Sequence, residues 1–179
     1  MLQWNEKRID EMKRGDALAQ ESCYHEFSTV LYTAILKICR NSSNARDLLQ
    51  DTFLDAFENI HQYNKNYAFI AWLKRIAFNN TFNFLKRERV ASNAITYLKN
   101  SVSTEPAPLE SLSQSNQLEY LLSIVTENER LVLWLFFVEQ YSHKEISQLV
   151  GKSESYSKSI VSRSLKKIQQ RVEVQAHAY

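Results

Sequence analysis

The sequence predicts an all-α protein: two small helical domains joined by a flexible linker. Three observations predict it. Gly and Pro occur only twice each in 179 residues, and long helix-period patterns dominate. Those patterns fill residues 16–90 and 116–172, whereas 91–115 between them is rich in Ser, Thr and Asn and holds Pro106 and Pro108. The last pattern reads as a short helix, a glycine and a longer basic helix. The expected organisation is an N-terminal domain over 1–90, a linker over 91–115 and a four-helix C-terminal module over 116–179. Fully extended, such a linker reaches roughly 80 Å at about 3.3 Å per residue.

The first domain carries two informative helices. From Arg46 to Ile60, the residues Leu48, Leu49, Thr52, Phe53, Ala56, Phe57 and Ile60 share one face, and Asp47, Gln50, Asp51, Asp55 and Glu58 lie opposite. Leu54 breaks the pattern, sitting among the polar group. Two readings stand for it: an ordinary exposed leucine, or the apolar centre of a protein contact. The second helix runs from about Ala68 to Arg89, with Phe69, Leu73, Ile76, Ala77 and Phe84 toward the core. Trp72, Arg75, Asn79, Phe82, Asn83 and Lys86 form a flanking stripe that ends in Lys86-Arg-Glu-Arg89. Aromatic, amide and cationic groups in one row suit base stacking, edge bonding and phosphate neutralisation. Trp72 taken alone suits the core better than a ligand.

The second domain opens with Leu118, Leu121, Leu122 and Val125, and Thr126-x-x-Glu129 is a capping box that launches an apolar helix over Arg130 to Val138. Ser142-x-x-Glu145 is a second capping box, and Gly151 falls where a helix needs a left-handed residue to end. In the final helix Val161, Leu165, Ile168 and Val172 are expected to face inward, with Ser155, Ser159, Ser162, Arg163 and Lys166 outward. A bihelical unit whose second helix is hydroxyl-rich and cationic is what reading a DNA major groove requires.

The totals narrow the function. The net charge is only +2, so nucleic-acid binding has to come from local patches. One such patch is Lys74, Arg75, Lys86, Arg87 and Arg89, opposed by Glu88; the other is Lys158, Arg163, Lys166, Lys167 and Arg171, unopposed between Ser155 and Val172. Each offers a few phosphate contacts, too few for tight independent binding at physiological salt. Cys23 and Cys39 give no disulfide framework and read as buried free thiols. No histidine completes the Asp47, Asp51, Asp55 row as a metal or acid–base site, so no metal, cofactor or small-molecule substrate is expected, nor enzymatic chemistry. The start, Met1-Leu-Gln-Trp-Asn-Glu-Lys-Arg, lacks an apolar signal core, and the longest apolar run, Leu131 to Val138, is too short to span a bilayer. A cytoplasmic location without membrane insertion is expected.

Taken in order, the motifs resemble those of the extracytoplasmic-function group of sigma factors, the compact branch of the sigma-70 superfamily. Arg14-Gly-Asp16 resembles the family's "xGD", and Asp47-Leu-Leu-Gln-Asp-Thr-Phe-Leu54 its "DLVQETFL". Phe69-Ile-Ala-Trp-Leu-Lys-Arg-Ile-Ala-Phe-Asn79 is similar to "FxxWLxxIAxN", and Lys144-Glu-Ile-Ser-Gln-Leu-Val-Gly151 to the "EIAxxLG" helix, with Glu129-Arg-Leu-Val-Leu opening the same module. The resemblance covers nearly the whole chain.

It implies a dissociable specificity subunit of bacterial core RNA polymerase that binds promoter DNA and helps melt it. It assigns Asp47, Gln50, Asp51 and Leu54 to core binding, which favours the contact reading of Leu54. It assigns the loop residues Tyr63, Asn64 and Tyr67, with Trp72, Arg75, Asn79, Asn83, Lys86, Arg87 and Arg89, to the minus-10 element. The helix-turn-helix, through Ser155, Tyr156, Lys158, Ser159, Ser162, Arg163 and Lys166, corresponds to the segment reading the minus-35 element. An anti-sigma factor is the implied inhibitory partner. Five departures stand out: Tyr156-Ser157 for Thr-Val, Ile160 for Arg, Ser155 for Gly, Val125-Thr126 for Leu-Pro, and Asn83 for Asp. The alternative is a stand-alone helix-turn-helix regulator with 16–90 as an effector or dimerisation domain.

Overall fold

The computed structural model describes residues 6–95 and 114–176, and its regular elements there are helices. The chain divides into two compact units, Met1–Asn83 and Phe84–Tyr179. This division falls inside helix α4 (Phe69–Ile95), ahead of the position expected from composition. The helix continues because Val90 to Ile95 offers neither Gly nor Pro to stop it. The middle of the expected linker, 96–113, lies outside the described residues, while its two ends are helical.

The first unit begins with α1 (Glu6–Lys13) and α2 (Ala17–Cys39), joined by a tight turn at Arg14-Gly-Asp16. Gly15 takes φ +80°, and the Asp16 carboxylate then accepts from the amides of Leu18 (2.9 Å) and Ala19 (3.1 Å). Helix α3 (Ser42–Glu58) starts four residues before Arg46, because the Asn41 side chain caps it by accepting from the Ser43 and Asn44 amides. Its buried face is Ala45, Leu48, Leu49, Thr52, Phe53 and Ala56. That face packs on Cys23, Phe27, Leu31, Ile35 and Ile38 of α2 as one apolar core.

Helix α4 adds Phe69, Leu73 and Ala77 to the buried set, as periodicity predicts. Ile76 and Phe84 are only half-buried, and Phe78 and Thr81 lie inside instead. Thr81 enters the core by donating its hydroxyl to the Ala77 carbonyl (2.8 Å), as Thr52 does to Leu48 (2.6 Å). Both cysteines are buried, and burial pushes the Cys23 thiol up to about 12. None of the described helices is long and apolar enough to cross a membrane.

The second unit contains α5 (Gln114–Ser123), α6 (Glu127–Leu133), α7 (His143–Val150) and α8 (Glu154–Ala176). Both capping boxes form. The Glu129 carboxylate accepts from the Thr126 amide (2.9 Å), and that of Glu145 from the Ser142 amide (2.8 Å). Arg130 is buried because its guanidinium serves a neighbouring helix end, donating to the carbonyls of Leu122 (2.8 Å) and Val125 (3.2 Å). Gly151 ends α7 at φ +61°.

Two expectations are corrected here. The apolar run to Val138 is not one α-helix: after Leu133 it widens into a π-turn over Trp134–Val138. The Glu139 amide bonds the Trp134 carbonyl, and the wider coil keeps Leu135 inside while Phe137 and Val138 are exposed. In α8 the buried row is Ser157, Ile160, Val161 and Ser164, and Leu165 is 44% exposed. The inward face is therefore turned from the expected one. Its setting comes from contacts with α6 and α7, including a 2.6 Å ion pair from Lys167 to Glu129, so Lys167 is not an unopposed cation.

Burial raises the Glu129 carboxyl, but hydrogen bonds from Lys167 and Thr126 outweigh it and hold the group below its ordinary value of 4.5. A lowered folded-state value contributes stability that is complete above the unfolded value and lost as pH falls through the folded one. Lys167→Met is expected to cost about 1–3 kcal/mol in urea melts at pH 7. The difference from the parent should narrow on acidification below about pH 4. Arg40 ends α2 in the left-handed region at φ +54°, a conformation that costs a non-glycine residue. Arg40→Gly is expected to raise stability by about 1 kcal/mol in the same melts.

Candidate functional site

Three surfaces gather the residues that the sequence singles out. On α3, Asp47, Gln50, Asp51 and Leu54 are all exposed on the face opposite the core, and Leu54 is 52% exposed. Its neighbour Phe53 points inward against Tyr24 of α2, with ring centroids 4.9 Å apart. Asp55 does not belong to the outward row: Asn80 of α4 donates to its carboxylate at 2.7 Å. The helix thus presents a leucine bordered by two aspartates and a glutamine. Among the described residues, no group of three or more His, Cys, Asp or Glu side chains is placed to hold a metal ion.

The second surface is the loop before α4 together with a flank of that helix. Tyr63 is half-buried, its ring against Phe69 (centroids 5.1 Å) and Trp72 (5.5 Å). Its hydroxyl donates to the Tyr67 carbonyl at 2.6 Å. Burial first, and the Glu6 carboxylate second, push the Tyr63 phenol above its ordinary value. The loop is shaped from within as well: the Asn64 side chain accepts from the Asn66 amide (3.0 Å) and its carbonyl from the Tyr67 amide (3.1 Å). Tyr63 therefore acts as a strut, while the Tyr67 ring is 69% exposed and Asn64 is exposed beside it.

Trp72 shares this aromatic cluster, 5.6 Å from Phe69, and is half-buried, so one side of its indole belongs to the core. Beyond it Arg75, Asn79, Asn83, Lys86, Arg87 and Arg89 are exposed along α4, and Phe82 is half-buried. A stacking ring, amides and a cationic end follow one another along one helix.

The third surface is α8. The Ser153 hydroxyl accepts from the Tyr156 amide (3.2 Å) and starts the helix one residue before Ser155. Ser155, Lys158, Ser159, Ser162, Arg163 and Lys166 are exposed, and Tyr156 is half-buried. Lys158 lies 4.0 Å from the Glu154 carboxylate, a long surface pair, and Arg163 donates to the Ser159 carbonyl at 3.3 Å. Ile160, one of the departures from the family pattern, is buried, so it sits outside this exposed row. Missed in the sequence were Ser153 as the cap and a partly buried contact between Ser157 and His143 (3.0 Å). Ser153-x-x-Tyr156 lacks the Glu or Gln of a capping box, so no signal marked it.

The comparisons match this anatomy. Residues 23–90 match the family described as sigma-70 region 2, and residues 115–168 match sigma-70 region 4. Together they cover more than half of the chain. The extracytoplasmic-function RNA polymerase sigma factor SigW of Bacillus subtilis is 26% identical over 157 residues, spanning 81% of this chain and 84% of that protein. SigM, of the same group and organism, is 24% identical over 152 residues, spanning 83% and 91%. The fold is similar to that of the sigma factor RpoE of Bartonella quintana, solved with the anti-sigma factor NepR. That match has a TM-score of 0.59 and 22% identity, and covers 86% of this chain and 96% of that one. With both sigma-70 regions present in order and the relatives aligning across both, the chain belongs to the extracytoplasmic-function group of the sigma-70 family of RNA polymerase sigma factors.

Proposed function

We propose that this sigma factor divides promoter recognition among its three surfaces. The outward face of α3, with Asp47, Gln50, Asp51 and Leu54, docks on core RNA polymerase. The loop of Tyr63, Asn64 and Tyr67 and the α4 flank from Trp72 to Arg89 engage the minus-10 element. Helix α8 reads the minus-35 element in the major groove. The domains that do this are 1–90 and 116–179, joined by 91–115.

The observation that carries the reading is Leu54, half-exposed at the centre of a polar ring on a helix whose other face is core. Apolar centres with polar rims are where interface energy concentrates. A stand-alone regulator leaves this surface without a use. The division of labour on DNA follows from chemistry. An exposed Tyr67 ring and the Asn64 amide suit an unstacked base, with stacking worth roughly 1–3 kcal/mol against an unstacking cost of a few kcal/mol. Lys158, Ser159, Ser162, Arg163 and Lys166 suit base edges and phosphates of a duplex.

The work is done by binding energy, with no bond made or broken by the protein, and it is done in the cytoplasm. A similar structure was solved with an anti-sigma factor. An inhibitor of that class, covering these same surfaces, is the partner we expect besides polymerase and promoter DNA.

Run-off transcription with purified core polymerase on a pool of genomic fragments tests the reading, and new start points are expected with the parent chain. Leu54→Arg or Asp51→Arg is expected to lower core affinity at least tenfold with helix content unchanged. Loss of transcription without loss of core binding would reject the α3 assignment. The free protein at nanomolar concentration should give no sequence-specific gel shift at physiological salt, because each basic patch neutralises only a few phosphates.

A further inference from the structure

The two helices of the helix-turn-helix are joined by a partly buried polar contact. Ser157, in the first turn of α8, is fully buried, and its hydroxyl lies 3.0 Å from Nδ1 of His143, the first residue of α7. The imidazole is itself held. It lies nearly parallel to the Phe136 ring, at 14° with centroids 4.6 Å apart, so the π-turn supports it from one face. One side chain therefore ties three consecutive segments: the π-turn, α7 and α8. Either tautomer keeps the tie, with Nδ1 accepting from the Ser157 hydroxyl or Nδ1–H donating to it.

We propose that His143 is a positioning residue for promoter reading, fixing the rotation of α8 about its axis and so the sharpness with which the minus-35 element is discriminated. This rests on the reading above that α8 enters the major groove. The apolar contacts of Ile160 and Val161 hold α8 down and the Lys167–Glu129 pair tethers it through a long, flexible side chain, but burial is non-directional and a lysine stem can follow a small roll. A hydrogen bond is directional and does not. Lys158 and Ser159 follow Ser157 immediately, and Ser162 and Arg163 lie within two turns. A roll of 10–20° is about the error at which a recognition constellation fails, and base-edge contacts depend on that geometry.

The test uses holoenzyme made from the full-length chain and core polymerase, on two promoters identical except that one has its minus-35 element scrambled. The readout is the ratio of transcripts, intact over scrambled. His143→Phe keeps a flat ring on Phe136 but lacks the nitrogen, and Ser157→Ala removes the hydroxyl. Each is expected to lower the ratio about tenfold, and the double variant no further than either alone. His143→Asn places an amide near the Nδ1 position and should keep the ratio within about threefold of the parent.

The proposal is overturned if His143→Phe leaves the ratio within twofold, if the two effects multiply, or if His143→Asn is as impaired as His143→Phe. Should a variant fail to fold, the imidazole ¹⁵N spectrum of the parent decides. The His143 Nδ1 resonance must carry the signature of a hydrogen bond, and its absence rejects the tie. A parent holoenzyme that initiates but ignores the scrambling removes the minus-35 assignment of α8 and this proposal with it. One that prefers the intact element while the variants behave as the parent removes this proposal alone.

Discussion

The 2.6 Å ion pair between Lys167 and Glu129 sets the geometry of the second unit. Glu129 is nearly buried at the start of α6, committed to capping Thr126, and cannot move without breaking that cap. Lys167 reaches it from α8, so the long helix is pinned at a second point beyond its contact with α7. With the helix so pinned, small serines at 157 and 164 turn inward, and Ser159, Ser162, Arg163 and Lys166 turn outward. The charge pair thus helps, together with the His143–Ser157 contact in the first turn, to set which side chains of α8 stay exposed. The pair is half-exposed on its lysine side, so its stabilisation is modest, and α8 uses it to fix orientation.

Local chemistry was legible in the sequence. Both capping boxes, the glycine that ends α7 and the amphipathic face of α3 follow from residues within one or two turns of each other, and each stands where its motif put it. The exposure of Leu54 was visible too, because its polar neighbours lie on the same helix. What escaped depends on partners distant in sequence. Asp55 reads as one more outward carboxylate until Asn80, 25 residues later, bonds it. Lys167 reads as free until Glu129, 38 residues earlier, claims it. Periodicity alone also leaves a helix face uncertain by one or two residues, which is why Leu165 and Ser164 exchanged places, as did Ile76 and Phe78. The π-turn was invisible for a different reason. Trp-Leu-Phe-Phe-Val carries no breaker, and its widening reflects the need to keep Leu135 inside before the chain turns at Gln140.

The two units treat their aromatic side chains differently. In the first, Tyr63, Phe69 and Trp72 form a cluster that carries a short loop on its outside, and the Tyr63 hydroxyl fixes the backbone of that loop. Rigidity is built beneath the exposed Tyr67, so little ordering remains to be done when something stacks on it. In the second, Phe136 supports an imidazole, and the exposed groups of α8 are cations and hydroxyls. On the proposed reading, one surface suits π-faces and the other grooves and phosphates, and each is braced by contacts made within its own unit.

The two thiols have a practical corollary. Cys23 and Cys39 sit at opposite ends of the apolar stripe of α2, both shut away from solvent, and the first is held so strongly protonated that its nucleophilic form is scarce at any pH a cell maintains. In the intact fold burial shields both sulfurs from alkylating reagents. Labelling at Cys23 therefore counts openings of the helix layer around it, and the rate of that labelling is a stopwatch for the first unit.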